Sequence, residues 1–205
     1  MPTHAPTVGF DLDMTLIDSR PGIRAAYEVL AAETGVYIDT DLVVSRLGPP
    51  LEEEMAHWFP ADEIAAVCDR YRALYPETAI TGTTALAGAR EAVEAVQALG
   101  GRAMVVTAKY QPNAKLHLDH LGIAADLLIG GLWAEGKAEA LLEHGARIYV
   151  GDHTGDVRGA RAANALSVGV TTGPCDEQEL REAGADVILP DLTAFPAWLR
   201  TFVAG

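Results

Sequence analysis

Six short apolar runs, separated by helical patterns, limit what this chain can fold into. They are TVGFDLD (7–13), GRAMVVTA (101–108), ADLLIG (125–130), ARIYVGD (146–152), SVGVTTG (167–173) and ADVILPD (185–191). Most are continuous rather than alternating, as expected of parallel strands covered on both faces. Between them lie LAGAREAVEAVQALGG, QPNAKLHLDHLG, GKAEALLEHG, GDVRGARAANA and CDEQELREAGA, several ending in glycine, a helix stop. This alternation with short links predicts an α/β fold: an open parallel sheet with helices on both faces and right-handed crossovers. The C-terminal LTAFPAWLRTFVA predicts a closing helix packed on the sheet edge.

The rhythm breaks once. From Asp18 to about Thr84 no strand pattern appears, only helical ones. SRPGIRAAYEVLAAETG sets Ile23, Ala26, Tyr27 and Leu30 at i, i+3, i+4, i+7 spacing, with Ser19 as N-cap, Pro21 in the first turn and Gly35 as the stop. DLVVSRLG, LEEEMAHWF and DEIAAVCDRYRALYPE follow, and the helix macrodipole accounts for Glu52, Glu53 and Glu54 near a helix start. The predicted organisation is a core of residues 1–17 and 85–205 and an all-helical insert at 18–84. The insert is either an added structural layer or a lid. Its entry straight after the first strand favours the lid.

Ligands of an open parallel sheet bind beyond the C-terminal ends of its strands. Asp11 and Asp13 close the first run, Thr107 the second, and GDHTGD, with Asp152 and Asp156, the fourth. Lys137 falls in the first turn of the helix between the third and fourth. Singly, each has a plain explanation: a capping Asp, a strand-filling Thr, a solvated Lys. Their convergence on one edge points to phosphoryl transfer through an aspartyl-phosphate. Magnesium, an oxygen-preferring ion, would sit between Asp11 and Asp152. Lys137, the Thr107 hydroxyl and backbone N–H groups after Asp11 would hold the phosphate oxygens. Asp13, kept protonated by like-charge repulsion, would serve the leaving alkoxide and then the attacking water.

Charge narrows the partners. The 205 residues carry 15 Lys and Arg against 29 Asp and Glu, a formal charge of −14. Such a surface repels nucleic acids and anionic membranes, so an anionic substrate needs local help from a metal, a lysine or helix N-termini. Cys68 and Cys175 have no CxxC or CxxH neighbour and read as reduced thiols of a cytoplasmic protein. No run approaches a membrane span, and MPTHAPTVGF lacks the pattern of a secretory leader. The expected partner is a small-molecule phosphate ester; monomer and homodimer both stay open.

DLDMT matches the DxDxT signature of the haloacid dehalogenase-like superfamily. VVTA resembles its second motif, EGKAEAL its third and VGDHTGD its fourth, all in order. The resemblance implies a Rossmann-like core, and the insert looks like a C1 cap of the phosphoglycolate phosphatase-like subgroup. It implies that Asp11 is the nucleophile and Asp13 the acid/base, its backbone carbonyl also a magnesium ligand. It further implies phosphate contacts from Thr107, Ala108 and Lys137, metal ligation by Asp152, and Asp156 orienting metal-bound water. By the same analogy the loop SRLGPPLEE (45–53) dips toward the core, with Arg46 the candidate substrate contact or else a surface arginine. Two details depart or compete. Met14 stands where glycine is more usual, and Lys109 is a second candidate phosphate lysine, ranked lower because its position commonly faces the following helix. The expected activity is a magnesium-dependent phosphatase acting on a phosphoglycolate-like or sugar phosphate. A phosphomutase of the β-phosphoglucomutase type and a non-catalytic regulator are the alternatives. Dehalogenation fits badly, since it would leave Asp13, Asp152 and Asp156 without purpose.

Overall fold

The computed structural model describes residues 5–204; residues 1–4 and 205, at the ends of the expected core, lie outside the described residues. The chain begins with β1 (Thr7–Phe10) and β2 (Ile17–Asp18), then α1 (Arg20–Thr34), α2 (Thr40–Ser45), α3 (Leu51–Met55) and α4 (Ile64–Thr78). It continues through β3 (Thr84–Ala85), α5 (Ala89–Ala98), β4 (Arg102–Val106), α6 (Gln111–Leu121), β5 (Leu127–Ile129) and α7 (Lys137–Glu143). β6 (Ala146–Gly151), α8 (Thr154–Ala162), β7 (Leu166–Val170), α9 (Glu177–Ala183), β8 (Val187–Leu189) and α10 (Phe195–Ala204) complete it.

Six strands pair in parallel in the order β5-β4-β1-β6-β7-β8. Each central strand divides its side chains between two apolar layers. Val8, Phe10, Ala103, Val105, Ile148 and Val150 join one with α5 and α10. Met104, Val106 and Tyr149 join the other with α7 and α8. A strand covered on both faces needs an apolar residue at every position, which is why these runs do not alternate. Phe195 of α10 meets Phe10 edge-on at 5.3 Å. The closing helix therefore covers the sheet face over β1, not the edge expected from sequence; its amphipathic pattern fixed a buried side but not which layer would bury it.

From β1 the chain builds outward through β4 and β5, then returns to β6 on the other side of β1. The crevice beyond the C-terminal ends of β1 and β6 is the topological switch point of such a sheet.

Between β1 and α5, helices α1 to α4 bury a separate apolar cluster running from Ile23 to Ile80 and including Tyr27, Leu30, Met55, Tyr71 and Tyr75. Gly35 ends α1 at φ 71°, a left-handed C-cap. A two-residue ribbon closes this segment at its base: β2 and β3 pair antiparallel, Ile17 with Ala85 and Asp18 with Thr84. The sequence showed no strand there because two residues are too few to carry a period. Among the described residues, no helix is long and apolar enough to cross a membrane, and both cysteines are free and buried.

Candidate active site

The chain leaves β1 through a tight loop. The Asp11 N–H extends the ladder to the Val150 carbonyl at 2.8 Å, and the Leu16 and Met14 N–H groups then bond back to Leu12 and Ile17 at 2.9 and 2.8 Å. The turn needs a left-handed residue, and Met14 supplies it at φ 62°. A non-glycine residue there costs about 1–2 kcal/mol, offset here because the Met14 side chain is buried and Thr172 Oγ1 donates to its carbonyl at 2.6 Å. The loop thus closes with methionine in the left-handed position.

Lys137 is the hub. Its side chain is wholly buried, and Nζ donates to Asp11 Oδ1 at 2.8 Å, Asp156 Oδ1 at 2.7 Å and the Tyr149 hydroxyl oxygen at 2.8 Å. Burial opposes the ammonium charge, but Asp11 and Asp156 outweigh it and hold the lysine well above its usual pKa. The Tyr149 hydroxyl donates a hydrogen bond to the Val106 carbonyl at 2.6 Å, which fixes its oxygen toward Lys137. Asp156 Oδ2 accepts from the His153 N–H at 3.1 Å as part of a capping box on α8. Gly151 makes room for it, since a Cβ there would lie 2.3 Å from Asp156 Cγ.

Asp11, Asp152 and Asp156 each present an oxygen within 4.8 Å of the others. Burial first, and then their mutual repulsion, push Asp11 up to about 7 and Asp152 well above the usual carboxylate range. Such an all-oxygen acidic cluster suits a hard divalent cation, whose charge would relieve that crowding. Both Asp156 oxygens are engaged by Lys137 and His153, so Asp11 and Asp152 are the freer ligands. Thr15 Oγ1 donates to Asp152 Oδ1 at 2.7 Å and aims that carboxylate.

Asp13 lies apart from this trio. Ser19 Oγ donates to its Oδ1, and so does Lys109 Nζ at 2.8 Å. Burial alone would raise its pKa; Lys109 and Ser19 outweigh burial and hold it below the usual carboxylate value. This reverses the expectation that like-charge repulsion keeps Asp13 protonated, because the lysine supplies a closer, opposite charge. Lys109 is corrected with it: the side chain reaches into the site instead of facing the following helix. Its ammonium lies 4.8 Å from the ring centre of Tyr75, whose hydroxyl is 3.0 Å from His117 Nε2. Ser19, placed by sequence as an N-cap, makes no side-chain cap bond because its hydroxyl is spent on Asp13.

A cavity of about 120 Å³ lies between the sheet edge and the helical insert. Asp11, Asp13, Thr107, Ala108, Asp152, Asp156 and Arg46 all line it. Thr107 is buried, and its Oγ1 accepts from the Lys109 N–H at 3.1 Å. The loop 45–53 comes down on the core at Gly48, where a Cβ would lie 2.8 Å from His153 Cδ2 and 3.1 Å from Trp133 Cη2. Glu54 and Glu52 have specific partners, Arg46 and Arg72, beyond the macrodipole that accounted for them in sequence.

A family model described as haloacid dehalogenase-like hydrolase matches residues 8–170. The chain belongs to that family. This haloacid dehalogenase-like hydrolase is 30% identical over 211 residues to a phosphoglycolate phosphatase of Salmonella typhimurium, covering 81% of each chain. It is 27% identical to a probable phosphatase of Dickeya dadantii, covering 90% of this chain and 89% of that one. Among solved structures, a predicted phosphatase from Clostridium acetobutylicum superposes with a TM-score of 0.82 at 25% identity, covering 96% of this chain and 99% of that one. A haloacid dehalogenase-like family hydrolase from Streptococcus pneumoniae gives 0.81 at 25% identity, covering 98% and 99%. The protein is a haloacid dehalogenase-like phosphatase, an enzyme of phosphoric monoester hydrolysis.

Sequence reasoning missed Thr15, Ser19, Tyr149, Trp133 and His153. Thr15 and His153 stood inside quoted motifs and could have been weighed with them. Tyr149 gave no signal, because its strand already explained an aromatic residue.

Proposed function

We propose that this phosphatase uses magnesium and an aspartyl-phosphate intermediate to hydrolyse a small phosphorylated metabolite, phosphoglycolate-like or a sugar phosphate. The reading rests on Lys137 joining Asp11 and Asp156 at 2.8 and 2.7 Å beside Asp152, at the switch point of the sheet. Asp11 is the nucleophile. Lys137 orients its carboxylate; Thr107 and the Ala108 N–H receive the phosphate oxygens, and Lys137 joins them only by giving up one of its bonds to Asp11, Asp156 and Tyr149. When bound, magnesium would be held by Asp11, Asp152 and the Asp13 backbone carbonyl, and would neutralise the charge that keeps a carboxylate from approaching a phosphate. Asp156 takes no phosphate; it anchors Lys137 and the start of α8.

Asp13 serves the alcohol side. Held ionised by Lys109, it must take up a proton from solvent before giving one to the leaving oxygen in the first half-reaction; ionised again, it takes one from water in the second. Its ionised state beside Lys109 is the form that acts on water. Residues 18–84 serve as a lid on a core of 1–17 and 85–205, a division supported by the insert's separate apolar cluster and by Gly48 seated against His153. Closing that loop excludes water from the intermediate.

Turnover of a panel of phosphate monoesters with and without magnesium tests the reading. Asp11→Asn should abolish hydrolysis of a generic aryl phosphate; retained turnover would remove Asp11 as nucleophile.

A further inference from the structure

The insert wall of the cavity carries charge that this chain has already matched. Glu54 grips Arg46 at both arms of its fork, Nε to Oε2 and Nη2 to Oε1, each at 2.7 Å. Trp58 Nε1 donates a third bond to the same carboxylate at 2.8 Å, and the guanidinium lies 5.8 Å from the Trp58 ring centre. Both Arg46 and Glu54 line the cavity, and the Glu54 side chain is only 14% exposed. This two-point geometry is what a guanidinium offers an incoming carboxylate. Arg72 is paired with Glu52 and Lys109 with Asp13. Every lysine and arginine lining the cavity therefore already holds a carboxylate from the same lining.

Among the described residues Arg72 Nε also lacks a hydrogen-bond partner, but it is buried away from the cavity; what stays unmatched and within reach there is neutral. Tyr27, Tyr71 and Asn113 line the cavity at 2%, 6% and 4% exposure. Among the described residues, their hydroxyls and amide have no hydrogen-bond partner. Once a substrate drives water from the cavity, such groups are costly until something pairs with them. Hydroxyl and amide groups pair well with the hydroxyls of an uncharged alcohol.

We propose that Glu54 fills the anion seat of Arg46, so that the cavity takes phosphate monoesters of an uncharged, hydroxylated alcohol and turns away those whose alcohol carries a carboxylate. The inference rests on the phosphatase reading and narrows it. A carboxylate entering this wall must stay unpaired, take Arg72 from the half-exposed Glu52, or displace Glu54 or Asp13 from its cation and leave a buried acid without a partner. A neutral alcohol breaks no pair and satisfies Tyr27, Tyr71 and Asn113. Selection here comes as much from the refusal as from the welcome.

The test compares kcat/KM for 2-phosphoglycolate and 2-hydroxyethyl phosphate, which differ by a carboxylate against a hydroxymethyl group. The wild type should favour 2-hydroxyethyl phosphate by about tenfold or more. Glu54→Gln keeps an acceptor for Trp58 but frees the charge of Arg46, and should move the ratio about tenfold toward phosphoglycolate, mainly through KM. Asn113→Ala should raise KM for 2-hydroxyethyl phosphate while leaving that for phosphoglycolate in place. If Glu54→Gln does not fold, the wild-type ratio and Asn113→Ala still decide. A wild type that prefers phosphoglycolate, or a Glu54→Gln enzyme slowed equally on both esters, overturns the inference and leaves the phosphatase reading standing. No turnover of either ester or of an aryl phosphate overturns both.

Discussion

Asp11→Asn should kill the enzyme and stabilise its metal-free fold. Burial and the neighbouring Asp156 and Asp13 lift the Asp11 pKa from 3.8 to about 7 even with Lys137 against it. The native state therefore keeps a proton that the unfolded chain releases above about pH 4, and wild-type stability falls as pH rises from there to about 7. At about 1.4 kcal/mol per pH unit, the full penalty above pH 7 is at most about 4 kcal/mol. Relaxation and water entry reduce this to on the order of 2 kcal/mol, or about 4–8 °C in Tm for a chain of this size. Asparagine copies the neutral acid in shape and carries no such slope. The assay is thermal unfolding in chelator at pH 5 and pH 8. The variant should melt several degrees above wild type at pH 8 and closer to it at pH 5, and added magnesium should narrow the gap by stabilising only the wild type. A variant that melts at or below wild type at pH 8, or by the same margin at both pH values, would refute the view that this carboxylate is crowded.

Lys137→Met should do the reverse. It strands Asp11 and Asp156 in a buried site without their shared cation, a loss of about 3–5 kcal/mol, read as a Tm drop of roughly 10 °C; a drop within experimental error would show that the pair is solvated. Gly173→Ala should spare the fold and damage the chemistry. A Cβ at that position would lie 1.7 Å from Asp152 Oδ2, so the carboxylate must turn away, with kcat falling on the order of a hundredfold and half-saturating magnesium rising. Unchanged kinetics would mean that Asp152 has room to spare.

The alternation of apolar runs and helical stretches made the sheet legible, because a doubly covered strand admits almost no polar residue and its run stands out. Asp11, Asp13, Thr107, Asp152 and Asp156 were legible for the opposite reason: polar groups at the ends of such runs have no packing role to hide behind. The two-residue ribbon of β2 and β3 was not, being too short for any periodicity. Lys109 shows a harder failure. Its place two residues after Thr107 suggested a side chain facing the following helix, yet its ammonium lies 2.8 Å from Asp13 because β1 and β4 are neighbours in the sheet.

By itself the sequence determined the layers, the insert after the first strand and the acidic residues at the sheet's edge, since these follow from local patterning. Only the tertiary structure decided which charges pair: Lys137 with Asp11 and Asp156, Lys109 with Asp13, Arg46 with Glu54. Two of those four pairs, Lys137 with Asp11 and Lys109 with Asp13, join residues 126 and 96 positions apart. Coulomb energy depends on distance through space and on burial, and neither is written in the order of the residues.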